Sequence, residues 1–114
     1  MPQPIFHITT DAAWQAALAG GHGYSAPSLE TEGFIHCSTP TQVAWVANGR
    51  FRGFSEPLVL LRLAPDALTA GLKWEASEPH MPPFPHIYGP IDLGAVVEVI
   101  PYPEGPEGFA PLTS

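Results

Sequence analysis

A chain of 114 residues, 45% of them apolar, is the size of one domain and can bury a core without disulfides. Its formal net charge of -7 leaves Arg50, Arg52, Arg62 and Lys73 as the only permanent cations. This argues against DNA binding, general RNA binding and docking on anionic membranes, which draw affinity from Lys and Arg.

Fifteen prolines and eleven glycines cut the chain into short elements. Residues 5–9 read as a first strand, rich in β-branched and aromatic side chains. A helix over 11–19 follows, with Thr10 as N-cap, Gly20-Gly21 as stop, and Trp14 and Leu18 forming its packing stripe. A loop to about residue 28 carries His22 and Tyr24. The motif GFIHCS (33–38) reads as the next strand.

Thr39-Pro40-Thr41-Gln42 has the pattern of a capping box with proline at the first helical position. The second helix should therefore run from there to about Ala47 and stop at Asn48-Gly49. PLVLLRL (57–63) reads as a central, largely buried strand. Residues 65–70 should form one helical turn and 72–76 an extended piece. EPHMPPFP (78–85), with four prolines, is expected to be an irregular loop. Residues 86–89 and 95–101 complete the strands. The tail over 102–114 is expected to be loosely ordered, with Phe109 as an anchor. The sum is one α+β domain over 1–114, dominated by β-structure and carrying two short helices.

The lone cysteine, Cys37, suggests a reducing compartment. The N-terminus lacks the basic and apolar regions of a signal peptide, and no run approaches the roughly 18 apolar residues of a membrane span. A cytoplasmic protein is expected.

Three histidines share one local grammar. His7-Ile8-Thr9, His36-Cys37-Ser38 and His86-Ile87-Tyr88 each place a histidine two residues before a hydroxyl, so on a strand each pair shares a face. Imidazole and hydroxyl both donate and accept hydrogen bonds, which suits a ligand rich in hydroxyls or phosphates. A structural role is preferred for His7, the two readings stand level for His36, and His86 and Tyr88 are read as functional. Cys37 reads as a small buried hydrophobe, and His22 and His80 as solvated. Glu75 in LKWEAS offers a base or electrostatic stabiliser, or a simple salt bridge to Lys73. Glu98, Glu30 and Glu32 read as solvated. GRFRG (49–53) brings Arg50 and Arg52 together, enough for one phosphate group. A metal held by His7, His36 and His86 is the competing arrangement, although no paired-ligand spacing supports it. Ser38 lacks a nucleophile elbow, and no glycine-rich phosphate loop is present.

GFIHCS, Gln42, Glu75 and FPHIYGPI together resemble a family of small bacterial and plant proteins with a domain of unknown function. The likeness runs from FHIT and Trp14 through Tyr24, Asn48 and LVLLRL to AVVEV. It implies a split antiparallel β-core similar to the ADP-ribosyltransferase fold, also found in RNA 2′-phosphotransferases. In such enzymes a histidine holds a ribose hydroxyl of NAD, a tyrosine packs on nicotinamide and an acid supports the cationic ribosyl group. By resemblance His36 would hold the ribose, Tyr88 would stack, Glu75 would be the acid, and His86 would contact phosphate or ribose. Glu75 precedes Tyr88, whereas the transferase glutamate comes late in the chain. The expected ligand is thus a nucleotide, NAD or an ADP-ribosyl group, bound by His36, Ser38, Glu75, His86 and Tyr88, with His7, Arg50 and Arg52 in support. Transfer or hydrolysis of the ADP-ribosyl group would follow. A non-catalytic module for a small molecule or peptide, a three-histidine metal protein, and a 2′-phosphorylated RNA end as ligand are the alternatives.

Overall fold

Thr10 ends the first strand, β1 (Ile5–Thr10), and starts the first helix, α1 (Asp11–Gly20). Its Oγ1 accepts from the Ala13 N–H at 3.1 Å, and Gly21 closes the helix with φ 71°. The buried stripe of α1 is Trp14 with Ala13 and Ala17; Leu18 is 46% exposed and takes no part in it. The computed structural model describes residues 3–76 and 78–112.

Among the described residues three α-helices form rather than two. The additional one, α2 (Pro27–Thr31), opens on a proline at its first position and lies in what reads as a loop. The helix expected from Thr39 begins later, as α3 (Val43–Arg50). Gln42 Oε1 does accept from the Thr39 N–H at 3.0 Å, the reciprocal half of a capping box. The Thr39 carbonyl, however, takes both the Gln42 and Val43 N–H groups, which makes residues 40–42 a turn. At its other end α3 runs through Asn48-Gly49 instead of stopping there.

The remaining strands are β2 (Ile35–His36), β3 (Leu58–Leu63), β4 (Leu72–Glu75), β5 (Phe84–Ile87) and β6 (Val96–Pro101). They form two three-stranded antiparallel sheets, ordered β1-β3-β6 and β2-β5-β4. The fold is α+β and rich in β-structure. As expected, LVLLRL is a central strand, and both of its faces are covered. Val59, Leu61 and Leu63 meet Ile35, Ile87 and Trp14 between the sheets, while Leu58 and Leu60 pack with Phe6, Ile8, Val43 and Ala47 under α3. Single-turn 3₁₀ helices lie at Pro65–Ala67 and Leu93–Ala95.

The strand β5 starts at Phe84, inside the proline-rich run expected to be irregular, and so places Pro85 in a central strand. The Pro85 carbonyl accepts from the Cys37 N–H at 3.0 Å, but proline has no N–H to return. The β2–β5 ladder therefore ends there. The next residue, Ser38, exchanges two backbone hydrogen bonds of 2.8 Å with Phe6 of β1. One short segment thus pairs first with one sheet and then with the other.

The tail from residue 102, expected to be loosely ordered, carries no helix or named strand up to residue 112 but is pinned to the body. Tyr102 and Phe109 are buried, the Tyr102 hydroxyl donates to the Ala110 carbonyl, and Asn48 clamps Phe109 from α3. The Asn48 amide donates to the Ala44 and Phe109 carbonyls, and its Oδ1 accepts from the Phe109 N–H. Gly108 makes this approach possible. It sits at φ 105°, and a Cβ there would lie 2.4 Å from Asn48 Oδ1. Among the described residues, no helix is long and apolar enough to cross a membrane.

Removing the clamp leaves partly buried backbone groups unsatisfied. Asn48→Ala should lower the unfolding free energy by about 2 kcal/mol, read from urea denaturation at neutral pH. An unchanged midpoint would show that the tail contributes no stability through Asn48.

Candidate functional site

Strand register sets three side chains abreast. His86 of β5 stands opposite His36 of β2 and opposite Lys73 of β4. In extended chain alternate residues share a face, so Phe34, Glu75, Phe84 and Tyr88 join them on the outside of the β2-β5-β4 sheet. The intervening Ile35, Pro85 and Ile87 are buried and hold the strands down. The polar pattern is outward because the apolar one faces the core.

One carboxylate oxygen organises this face. Glu75 Oε1 accepts from His86 Nδ1 at 2.8 Å and from the Tyr88 hydroxyl at 2.5 Å. These two hydrogen bonds, Tyr88 first and His86 next, hold the Glu75 carboxyl below the usual carboxylate range. The same contact raises the Tyr88 phenol, whose proton is already committed to Glu75. A carboxylate can only accept, so His86 carries a proton on Nδ1, and in the neutral ring Nε2 is left as an acceptor toward solvent. Phe34 stacks on the His86 ring with centroids 4.1 Å apart and planes at 19°. It also meets the His36 ring edge-on at 4.8 Å and leans toward Tyr88 at 5.4 Å. His36 Nε2 reaches Glu32 Oε1 at 3.1 Å. Lys73 makes no ion pair with Glu75; its Nζ lies over the Tyr88 ring, 4.8 Å from the centroid.

The structure brings together His36, Glu75, His86 and Tyr88. It separates the other sequence candidates from them. His7 faces inward and is buried, with Nδ1 donating to the His36 carbonyl at 2.7 Å and Nε2 2.9 Å from the Tyr24 hydroxyl. The Tyr24 oxygen is in turn 2.8 Å from Thr9 Oγ1, so FHIT and Tyr24 form a closed internal network. His7 is therefore a structural support beneath His36. Ser38 is buried at the crossing between sheets. In the GRFRG segment, Arg50 is exposed at the end of α3, while Arg52 Nε and the Gly53 N–H hold the two oxygens of Glu104 at 2.6 and 2.8 Å. Arg52 is thus paired with a carboxylate of the chain's own tail, and Arg50 does not share that contact.

The three-histidine metal arrangement does not form, because both ring nitrogens of His7 are engaged in the interior. Among the described residues no group of three His, Cys, Asp or Glu side chains is placed to hold a metal ion. Cys37 is buried, and burial pushes its thiol well above the ordinary range. Sequence reasoning missed Phe34, and it treated Glu32 as merely solvated. The signal was available for Phe34, which precedes His36 by two residues and so shares its strand face.

The model of the family described as "Protein of unknown function (DUF952)" matches residues 8–99. The chain belongs to the DUF952 family. The crystal structure of CC0527 from Caulobacter crescentus, a structural-genomics target, is 35% identical and superposes with a TM-score of 0.79 over 94% of this chain and 92% of that one. The solution NMR structure of CC0527 agrees, at 34% identity and a TM-score of 0.77 over 93% and 90% of the two chains. No curated protein matches the chain. Membership in the family thus accounts for the fold without assigning an activity.

The buried His7 makes stability depend on pH. Desolvation lowers its pKa from 6.5 to about 4, so between those values the unfolded chain binds a proton that the folded chain does not. Stability from this residue is complete above pH 6.5, falls as pH drops toward 4, and levels off below. The loss should be on the order of 3 kcal/mol. Urea unfolding at pH 7 and pH 4.5 should show a smaller difference for His7→Gln than for the parent chain; equal differences would show that His7 is not the titrating group.

Proposed function

We propose that the outer face of the β2-β5-β4 sheet binds a nucleotide-type ligand, NAD or an ADP-ribosyl group, through its ribosyl end. What carries this reading is the shared Glu75 Oε1, which ties an imidazole, a phenol and a carboxylate into one unit beside stacked rings. Each part has a use in that role. A carboxylate held ionised can stabilise positive charge developing on a ribosyl carbon. His86 Nε2 is free to accept a proton, His36 supplies a second imidazole, 5.4 Å from the first between ring centroids, for a ribose hydroxyl, and Tyr88 and Phe34 offer aromatic rings for a pyridinium. The resemblance to the ADP-ribosyltransferases, which would give roles to His36, Glu75, His86 and Tyr88, supports the same reading.

In the catalytic form of this reading the glycosidic C–N bond breaks and its electron pair leaves on the nicotinamide nitrogen. An acceptor oxygen then bonds the ribosyl carbon and gives its proton to His86 Nε2. Water as acceptor makes the reaction hydrolysis, and another hydroxyl makes it transfer. A second reading, binding without cleavage, is favoured by the openness of the face: Tyr88 is 38% exposed and the Glu75 side chain 41% exposed. Catalysis of this kind gains from excluding water.

NMR titration with NAD and ADP-ribose, followed by product analysis, separates these readings. Binding should shift the His36, His86 and Tyr88 resonances, and His86→Ala or Tyr88→Phe should weaken it about ten-fold with little change in Tm. Release of nicotinamide identifies an enzyme, and binding of intact NAD identifies a module. If neither compound perturbs these residues, the nucleotide reading fails.

A further inference from the structure

Beside the candidate site lies a second aromatic feature that the shared Glu75 unit does not use. Trp45, on the exposed side of α3, is 63% exposed, and its ring stacks with that of Phe84, centroids 6.0 Å apart and planes at 28°. The two rings line an open, mainly apolar groove of about 460 Å³ together with Thr41, Gln42, Met81 and Pro82. The groove wall is fixed: Gln42 accepts from the Thr39 N–H and donates to the Pro83 carbonyl at 2.9 Å, pinning the start of α3 to the segment before β5. Trp45 is thus a large exposed side chain on a rigid mount.

The groove adjoins the site through Phe84, which lines it and belongs to the extended segment that carries His86 and Tyr88. Phe84, His86 and Tyr88 alternate along one face of one extended segment, so Phe84 and Tyr88 stand about 13 Å apart. That span exceeds a single nucleoside and is within reach of two nucleosides joined by a pyrophosphate. His86 lies midway between them; Lys73 is its register partner and Glu75 is that of Phe84. The order along the face is the aromatic slot, then His86 with its Glu75 partner, then the aromatic cluster of Phe34 and Tyr88 with the Lys73 ammonium over the Tyr88 ring. A planar ring inserted between Trp45 and Phe84 needs about 7 Å, two van der Waals separations, which Trp45 can open by a small rotation because most of it is in solvent. Base stacking on such side chains tolerates any base, since every base has a π-face.

We infer that the Trp45–Phe84 slot seats the second base of the ligand, so that the site takes a dinucleotide rather than a mononucleotide. The inference rests on the ribosyl-end reading above and goes beyond it by naming the far half of the ligand and the residues that hold it.

The test compares NAD, AMP and nicotinamide mononucleotide on the parent chain, Trp45→Ala and Trp45→Phe, using the Trp45 indole N–H and the Tyr88 resonances as separate NMR reporters. NAD should shift both reporters, AMP mainly Trp45, and nicotinamide mononucleotide mainly Tyr88. Trp45→Ala should weaken NAD and AMP about ten-fold, leave nicotinamide mononucleotide unchanged, and leave Tm unchanged, while Trp45→Phe should restore most of the loss. If NAD shifts Tyr88 with equal affinity in Trp45→Ala, the slot is overturned and the ribosyl-end reading stands. If AMP shifts Trp45 but no compound shifts Tyr88, the slot is supported and the ribosyl-end reading fails. Silence of both reporters with all three compounds overturns both.

Discussion

The fold turns on a missing hydrogen-bond donor. Pro85 accepts from Cys37 and can give nothing back, so the strand carrying GFIHCS leaves its first sheet and pairs with β1 through Ser38 and Phe6. That change of partner couples the two sheets through the backbone as well as through apolar contact. At the departure point the His36 carbonyl is taken by His7 from below. His36 is therefore fixed from inside the core while its ring faces outward, and the candidate site inherits the rigidity of the core beneath it. Ile35 and Ile87, both fully buried, fix the same two strands on the opposite side.

Much of this was legible in the chain, for reasons that can be named. LVLLRL read as a central strand because nearly every position is apolar, as burial on two faces requires. Thr10 and Gly21 marked the ends of α1 through ordinary capping chemistry. The start of β5 was obscured because proline argues against a central strand, and the rule gives way only where the neighbouring strand departs and asks for no donor. Asn48-Gly49 looked like a helix stop because Asn and Gly favour C-caps, but a tertiary partner, Phe109, recruited the Asn48 side chain and the helix continued. The short α2 had little to announce it beyond Pro27.

The histidine-hydroxyl grammar was half informative. Spacing reports which side chains share a strand face, and it cannot report whether that face looks at the core or at water. FHIT belongs to a strand buried on both sides, so its polar pair turned inward and found Tyr24. PHIY belongs to a sheet covered on one side only, and its pair faces out. The distinction depends on which layer each strand joins, a long-range property. The role of Glu75 was visible only as a parity relation on β4, because its partners lie 11 and 13 residues later, in β5 and just after its end.

The internal use of the cations has a consequence for encounters in solution. Arg52 is tied to Glu104 and Arg62 to Glu98, and Lys73 lies over Tyr88. With net charge -7, the far field of the molecule is negative in every direction where no local cation stands clear. An anionic ligand approaching from beyond a Debye length, about 8 Å at physiological ionic strength, is repelled before it reaches any favourable contact. Added salt would then have opposed effects: it would screen the repulsion and speed arrival, and it would weaken any short ionic contact the visitor makes. The ionic-strength dependence of association and dissociation rates thereby distinguishes what the whole chain does to a visitor from what the site does.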